Sequence, residues 1–215
     1  MNTFRAVVRP ACWEQELHRS RFIGWAYPAP DEQAVATALA ELSQRYRDAT
    51  HLCFGGVVGG GRQAGPARER FSDAGEPGGT AGRPILEVVR RQGLVETFVA
   101  VIRYFGGIRL GAAGLVRAYS GTAAGVLAVA PIAEFAAFVR WELTLPYAAQ
   151  GLLRPRLEAA GVQWLEEAYT DVVHWQLAVP PLQEERLRRE IATVSSGQWQ
   201  PQRLGTLWRP VHPVQ

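Results

Sequence analysis

One segment constrains the fold of this 215-residue chain more than any other, because a strand pattern, a glycine-rich turn and a helix pattern follow one another within it. The apolar run 98–102 leads into Arg103-Tyr-Phe-Gly-Gly-Ile-Arg-Leu-Gly111, and a helical pattern over 115–129 leads out. Glycine allows sharp turns and close approach to backbone N–H groups, and a helix N-terminus offers unpaired donors with positive partial charge. With arginines nearby, this order is typical of an anion site and suits phosphate in particular.

The candidate phosphate-binding residues of this segment are its arginines and glycines, namely Arg103, Gly106, Gly107, Arg109, Gly111, Gly114 and Arg117. Their spacing matches neither the P-loop pattern nor the dinucleotide fingerprint. A plain tight turn between a strand and a helix explains the glycines equally well. The pattern by itself therefore leaves both interpretations open.

A second glycine-rich segment, Ser72-Asp-Ala-Gly-Glu-Pro-Gly-Gly-Thr-Ala-Gly82, leads into another helical pattern. Long structured loops in compact domains are usually functional or disordered. The alternative is a surface loop that only begins a helix, with Thr80 as its predicted N-cap. We expect the two segments to line one cleft, with both helix N-termini directed at the anion. The candidate residues here are Ser72, Asp73, Glu76, Thr80 and Arg83.

The charge distribution favours an anionic partner for the same region. All 23 basic residues are arginine, whose planar fork suits bidentate contact with phosphate. Positions 62–117 hold 9 arginines against 5 acids, whereas 133–215 holds 8 arginines against 9 acids. A solvated arginine-rich face is the alternative, but the excess coincides with the two glycine-rich segments.

Several other classes find no support in the composition. Cys12 and Cys53 are too few for a disulfide framework, and the four histidines are scattered without metal-ligand spacing, so no metal or cofactor is expected. No apolar run reaches the roughly 20 residues of a membrane span, and no secretory signal is evident. We therefore expect a soluble cytoplasmic protein, in which His51 and Cys53 serve strand packing.

The patterns predict two domains, 1–132 and 133–215, joined by a linker at 130–135 near Pro131. In the first we expect strands at 21–28, 52–58, 62–71 and 97–104, and helices from Pro30 and over 80–91 and 112–129. In the second, the predicted order is strand 138–145, helix 147–160, strands 162–169 and 172–179, helix 182–194 and strand 199–207. This βαββαβ order is the ferredoxin-like arrangement.

Tryptophans in the second half invite two interpretations. Trp164, Trp175 and Trp199 lie in its predicted strands and Trp208 directly follows the last of them, where aromatic side chains on an open sheet could stack RNA bases. The aromatic-basic run of RNA-recognition modules is missing, and this half is slightly acidic. Packing in the core or at a sheet edge is therefore favoured over RNA stacking.

The two glycine-rich segments, together with Arg21-Phe-Ile23, His51-Leu-Cys53 and Gly114-Leu-Val-Arg-Ala-Tyr-Ser120, resemble the YigZ/IMPACT family over roughly residues 20–130. The resemblance implies an α+β protein whose N-terminal domain is similar to domain 2 of ribosomal protein S5. It implies a ferredoxin-like C-terminal domain similar to the last domain of elongation factor G. The eukaryotic relative IMPACT is associated with control of translation initiation.

Three hypotheses of function follow. The leading one is a non-catalytic protein that binds RNA or a ribosomal particle, modulates translation and contacts phosphates without reading sequence. The second is an enzyme acting on a nucleotide or phosphorylated metabolite, with Asp73 and Glu76 holding Mg²⁺ or acting as base. The third is a scaffold for a protein partner in translation control. No nucleophile with an adjacent base is recognisable, which disfavours the enzyme.

Overall fold

The computed structural model describes residues 3–62 and 65–211, which divide into two compact units. We call residues 3–135 with 210–211 the N-terminal unit, and residues 136–209 the C-terminal unit. Apart from β7, which runs over Ile132–Leu145 and so belongs to both units, the elements of the N-terminal unit are β1 Thr3–Val7, β2 Ala11–Leu17, β3 Ser20–Pro28, α1 Glu32–Arg45, β4 His51–Val58, β5 Arg68–Ser72, α2 Gly82–Arg91, β6 Thr97–Tyr104 and α3 Gly111–Val129.

The N-terminal unit is built on an antiparallel sheet with strand order β2-β3-β6-β4-β5. Its register sets the later site, because Arg103 of β6 lies opposite Phe22 of β3 on one side and His51 of β4 on the other. Residues directly opposite one another in an antiparallel sheet project from the same face. Phe22, Arg103 and His51 therefore form a row across three strands.

The two faces of this sheet are covered by different helices, as the period-two alternation of its buried strands requires. One face packs on α2 and α3 through Phe22, Cys53 and Val101. The other packs on α1 through Ile23 and Ile102. Asp31 caps α1, accepting a hydrogen bond from the Ala34 N–H at 2.8 Å.

Helix α3 is the central core helix of the N-terminal unit. By length and composition alone it could cross a membrane, which the sequence analysis did not anticipate. Its apolar side is buried against the sheet and α2 through residues that include Leu115, Ala118, Tyr119, Ala123 and Val126. Core helices of folded domains pass the same test of length and composition.

The linker predicted at 130–135 is not present as a separate segment. Strand β7 runs without interruption over Ile132–Leu145, so only Ala130 and Pro131 separate it from α3. Pro131 does follow the helix end, and its carbonyl accepts a hydrogen bond from the Val8 N–H at 2.8 Å. The contacts divide the chain between residues 135 and 136. The two-domain organisation over 1–132 and 133–215 stays a prediction.

Other differences from the sequence analysis concern strands. β1 and β2 were not predicted. The strand expected at 62–71 is β5, which begins only at Arg68, and residues 63 and 64 lie outside the described residues. The strand expected at 138–145 is β7, which begins six residues earlier. The remaining predicted strands and helices agree with the structure to within about three residues.

The C-terminal unit follows the predicted βαββαβ order. After β7 come α4 Gln150–Glu158, β8 Gln163–Tyr169, β9 Val173–Val179, α5 Glu184–Ser195 and β10 Gln202–Pro210. These strands belong to a five-stranded sheet with the order β1-β7-β9-β8, in which β10 also pairs with β7. Trp141 and Trp175 are fully buried, and Trp164 and Trp199 pack partly buried against the same core. Packing in the core is thus the observed role of these tryptophans.

Candidate functional site

A cavity of about 350 Å³ opens in the N-terminal unit where the two glycine-rich segments meet. Its wall is formed by Thr50 and His51, by Glu76 and Pro77, by Arg103 and Phe105, and by residues 109–112 with Leu115. The expectation that residues 72–83 and 103–117 line one cleft is confirmed for these residues. Only the N-terminus of α3 reaches the cavity, however, because α2 contributes no residue to its wall.

The floor of the cavity is a buried ion pair. The side chains of Glu76 and Arg103 are only 3% and 6% exposed, and Arg103 Nη1 donates to Glu76 Oε1 at 2.6 Å. The Tyr119 hydroxyl donates to the same oxygen at 2.6 Å. Burial raises the pKa of the Tyr119 phenol well above its ordinary value, and the adjacent Cys53 and Glu76 add to the effect. Tyr119 therefore stays protonated as a donor.

His51 stands beside this ion pair. Its Nδ1 lies 2.9 Å from the carbonyl oxygen of Ala74, which can only accept, so Nδ1 carries the hydrogen. In the neutral ring Nε2 is then an acceptor, 3.9 Å from Glu76 Oε1 and at the cavity wall. The prediction that His51 serves strand packing alone is wrong, because the register with Arg103 brings it to the cavity.

The rim of the cavity is the start of α3. Leu110 is its N-cap residue and gives no side-chain hydrogen bond, so its first N–H groups receive no side-chain cap. Gly111 turns the chain at φ +68°, a left-handed conformation that glycine adopts without strain. Arg109 is exposed beside it. Unpaired donors and a cation thus meet at one edge.

Part of the cavity wall is apolar. Phe105 is 47% exposed, and the Arg103 guanidinium carbon lies 5.4 Å from its ring centroid. Leu115 and Pro77 add further apolar surface. A cavity with a mainly apolar wall and a few convergent polar groups is the usual form of a small-molecule site.

Asp73 does not face the cavity as a ligand-binding carboxylate. Its Oδ1 accepts from the N–H groups of Ala81 and Gly82 at 3.0 and 2.8 Å, and its Oδ2 accepts from Gly79 at 2.8 Å. Desolvation opposes ionisation, but these three hydrogen bonds lower the pKa of the carboxyl. The Asp73 carboxylate therefore binds the backbone donors at the N-terminus of α2, where an external anion would otherwise bind.

This arrangement corrects two interpretations. Asp73 and Glu76 were candidates for holding Mg²⁺ or acting as base, yet the first binds backbone amides and the second binds Arg103 and Tyr119. Within residues 3–62 and 65–211, no group of three or more His, Cys, Asp or Glu side chains could hold a metal ion. The predicted capping role of Thr80 is also wrong, since its hydroxyl donates to the Pro77 carbonyl at 2.6 Å.

Other predicted site residues lie away from the cavity wall. Ser72 Oγ accepts from the Ala74 N–H at 3.3 Å within the turn after β5. Arg83 stacks over the ring of Phe71, at 5.3 Å from its centroid. Arg117 is exposed two residues beyond Leu115, so it points to the other side of α3.

The remaining predicted glycines have backbone roles. Gly106 donates its N–H to Ser20 Oγ at 3.1 Å, and a Cβ there would lie 1.9 Å from the Arg19 carbonyl oxygen. Gly107 has φ +85° in open space. Gly114 is in the first turn of α3, where a Cβ would lie 3.0 Å from that of Leu110. These glycines shape the turn and the helix start, as a tight strand-to-helix connection requires.

The arginine excess of this region is partly neutralised inside the protein. In the described part of the chain, four of its nine arginines form ion pairs with glutamates, namely Arg62, Arg70, Arg90 and Arg103. The guanidinium groups of Arg109 and Arg117 have no ion pair or hydrogen bond within the described residues. They are the cations of the predicted site that a ligand can reach without competing for a partner.

The Cys53 thiol is not a reactive nucleophile in this fold. Its thiol is buried next to the site and donates to the Asp73 carbonyl oxygen at 3.0 Å. Burial raises its pKa to about 12. A nucleophilic thiol needs a lowered pKa, so Cys53 belongs to the core, as the sequence analysis expected.

The first prediction concerns Asp73. Replacing it with alanine leaves three backbone donors without their acceptor, and we expect a loss of about 0.5–2 kcal/mol in the free energy of unfolding. Because its pKa is lowered in the folded state, its contribution is present above the unfolded pKa near 4 and is lost as pH falls through the folded value. Urea denaturation between pH 2 and 6 would measure both effects.

Asp73→Asn is the informative partner of that experiment, because it should show a shallower loss of stability over the same acid range. Asp171→Asn, in an exposed turn of the C-terminal unit, is the control. Parallel acid profiles for wild type and Asp73→Asn would contradict the capping role.

The chain is similar to known protein families and to several of their members. The Impact N-terminal domain model matches residues 18–127, and a domain of unknown function, DUF1949, matches residues 143–198. An IMPACT family member from Thermus thermophilus is 39% identical over 166 residues, covering 77% of this chain and 87% of its own length. The IMPACT family member YigZ of Escherichia coli is 36% identical over 124 residues, 56% of this chain and 58% of its own.

A crystal structure described as that of a hypothetical protein is similar throughout, with a TM-score of 0.62 and 27% identity over 94% of this chain and 97% of the other. The fold and the cavity define a mixed α+β protein with two antiparallel sheets and a cleft at the start of a core helix. The chain belongs to the IMPACT family, as its motifs predicted.

Proposed function

We propose that this protein is a non-catalytic, cytoplasmic protein that associates with RNA or a ribosomal particle, takes part in regulating translation, and binds phosphate groups through its N-terminal unit. The observation that carries the proposal is the cavity rim, where the first N–H groups of α3 lie beside Arg109. Unpaired helix donors and an exposed arginine suit phosphate.

The contrast between the two glycine-rich segments supports this assignment. At α2 the backbone donors already hold the Asp73 carboxylate, which occupies the place of a bound anion. At α3 no side chain of residues 3–62 or 65–211 supplies such a cap, although the helix dipole is of the same kind. An external phosphate at α3 would make the two helix starts chemically equivalent.

We also propose the finer fold assignments that the family resemblance implies. The N-terminal unit would be similar to domain 2 of ribosomal protein S5, and the C-terminal unit to the ferredoxin-like last domain of elongation factor G. The βαββαβ order of β7 to β10 supports the second assignment. The first of these proteins is a component of the ribosome and the second is a translation factor, which supports a ribosomal partner, although fold analogy alone does not establish function.

The alternative function is that of an enzyme acting on a nucleotide or phosphorylated metabolite. The observation in its favour is the pair of His51 Nε2 and Glu76 Oε1, 3.9 Å apart at the cavity wall. A neutral imidazole with its other nitrogen fixed by a carbonyl is a suitable general base. Turnover of a phosphorylated compound that His51→Ala abolishes would favour this alternative.

The proposal predicts salt-sensitive binding to structured RNA or ribosomal particles, weaker for duplex DNA and independent of added metal. Each phosphate contact that is lost reduces the dependence of log K on log salt by about one unit. Arg109→Ala should therefore weaken binding and flatten the salt dependence by about one. Arg117→Ala should do the same if the RNA backbone extends along the outer side of α3. Filter binding or sedimentation at several salt concentrations would measure this.

Arg91→Ala is the matched control, because it also removes an exposed arginine, at the end of α2 and outside the cavity wall. Arg103→Ala also removes a predicted phosphate contact, but it leaves Glu76 buried without its partner, so Arg109 is the cleaner test. Salt-independent binding, or identical salt dependence in Arg109→Ala and Arg91→Ala, would refute phosphate binding at α3.

A further inference from the structure

We propose that the cavity binds one unpaired nucleotide of an RNA strand, with its base on Phe105, its ribose over Glu76 and His51, and its phosphate at the start of α3. This inference rests on the proposed function and narrows its ligand from RNA phosphates in general to a nucleotide outside a duplex. Four observations carry it: the exposure of Phe105, an unsatisfied donor on Arg103, the polarity of the floor, and the size of the cavity.

Phe105 is an exposed aromatic ring in the wall of a polar-floored cavity. It is 47% exposed, and Arg103 lies 5.4 Å from its centroid. Within a cavity wall such a ring provides a flat apolar surface, and every nucleic-acid base offers a flat face to stack on it. Base stacking on aromatic side chains is sequence-tolerant, which suits a protein that reads no sequence.

Arg103 is incompletely satisfied by the protein. The residue is 5% exposed, and its Nε is buried without a hydrogen-bond partner among the described residues. Buried guanidinium donors usually find acceptors, and an orphaned one requires an explanation. Because Arg103 forms part of the cavity wall, a small rotation of its guanidinium would let a ligand oxygen accept from it.

The floor between these two ends suits hydroxyl groups better than phosphate. Glu76 presents a carboxylate, which repels an anion but can accept from a hydroxyl beyond the two donors it already has. His51 Nε2 adds a second acceptor when the ring is neutral. Ribose hydroxyls are donors of this kind, so the floor favours RNA over DNA through the 2′-OH.

The dimensions agree with one nucleotide. A volume of about 350 Å³ lies at the lower end of the range for small-molecule sites, and it is far too small for a duplex. Bases within a duplex are stacked on each other and cannot also stack on Phe105. The nucleotide must therefore come from a loop, a bulge or an end of the RNA.

The test is anisotropy binding of the full chain to a short fluorescent single-stranded RNA, to the same RNA annealed as a duplex, and to the matching single-stranded DNA. Wild type should bind the RNA strand most tightly. Phe105→Ala should weaken that binding about tenfold or more, the loss that alanine causes at a base-stacking aromatic. Phe105→Trp should retain it.

Phe71→Ala is a matched control that the chain itself provides. Phe71 is 44% exposed and has an arginine, Arg83, 5.3 Å from its ring centroid, but it lies outside the cavity wall. Its removal should leave RNA binding unchanged. Thermal denaturation of both variants would verify that each retains its fold.

The outcomes separate this inference from the proposed function. Salt-sensitive RNA binding that Phe105→Ala leaves intact, or that is equal for strand and duplex, would overturn the nucleotide site while RNA association stands. Absence of RNA binding by wild type at low salt would overturn both. A ribonucleoside monophosphate that binds alone as tightly as the strand would overturn the assignment to RNA.

Discussion

Replacing Glu76 with alanine is expected to lower the free energy of unfolding by about 3–5 kcal/mol, because the buried Arg103 guanidinium then has no counter-charge. The Tyr119 hydroxyl loses its acceptor in the same step. Desolvation and lost hydrogen bonds act together here, since both side chains of the ion pair are more than nine-tenths buried. Urea denaturation and hydrogen exchange of the β6 amides would measure the loss and locate it in the N-terminal unit.

Two further variants distinguish charge from packing. Glu76→Gln keeps an amide oxygen as acceptor and should lose less than Glu76→Ala. The double variant Glu76→Leu with Arg103→Met removes both charges, so it should be more stable than Glu76→Ala alone. A loss below about 1 kcal/mol for Glu76→Ala would mean that Arg103 is solvated through the cavity rather than held by Glu76.

Gly106→Ala is expected to destabilise the N-terminal unit by about 3 kcal/mol or more, because overpacking against fixed backbone cannot relax. The added Cβ would lie 1.9 Å from the Arg19 carbonyl oxygen and 2.6 Å from the Ser20 nitrogen. That backbone belongs to a two-residue turn between β2 and β3 in which His18 and Arg19 both have positive φ, so it has little freedom to move.

Gly107 and Gly78 provide comparison variants for this prediction. Gly107→Ala meets no atom within 4 Å but has φ +85°, so it should cost about 1–2 kcal/mol for left-handed backbone alone. Gly78→Ala has open space and no left-handed φ, and it should be close to neutral. In thermal denaturation the loss of stability should be largest for Gly106→Ala, smaller for Gly107→Ala and smallest for Gly78→Ala. Equal losses of stability for Gly106→Ala and Gly107→Ala would contradict the prediction, because they would show that the backbone around Arg19 moves to relieve the clash.

Most helices and strands could be predicted because their patterns are local. The period of Val35, Leu39 and Leu42 is visible in α1, and Pro131 marks the end of α3 in the sequence. β2 has Trp13 and Leu17 on either side of polar residues, and four of its seven residues are polar or exposed, so the apolar run that marks a central strand is missing. β1 is too short and too polar on one side to be recognised.

The sequence could predict which segments form the site, but not which residues from other parts of the chain are brought next to them. Glycine and arginine patterns located Arg103, Arg109 and Gly111, which do line the cavity. His51 and Tyr119 could not be found this way, since only the β4–β6 register and the packing of α3 bring them to Glu76. Asp73 carried the right charge for a ligand site, but sequence cannot tell a carboxylate that binds a ligand from one that caps its own helix.

The burial of Cys53 gives the protein two thiols with different accessibility. Cys12 is exposed on β2, whereas Cys53 is enclosed between the sheet and its helices, with a pKa of about 12. Alkylation proceeds through the thiolate, so in the native state the reagent meets only Cys12, and labelling of Cys53 waits for the surrounding structure to open. The rate at which Cys53 is labelled therefore reports how often the cavity floor opens, since the Cys53 thiol donates a hydrogen bond to the loop that carries Glu76.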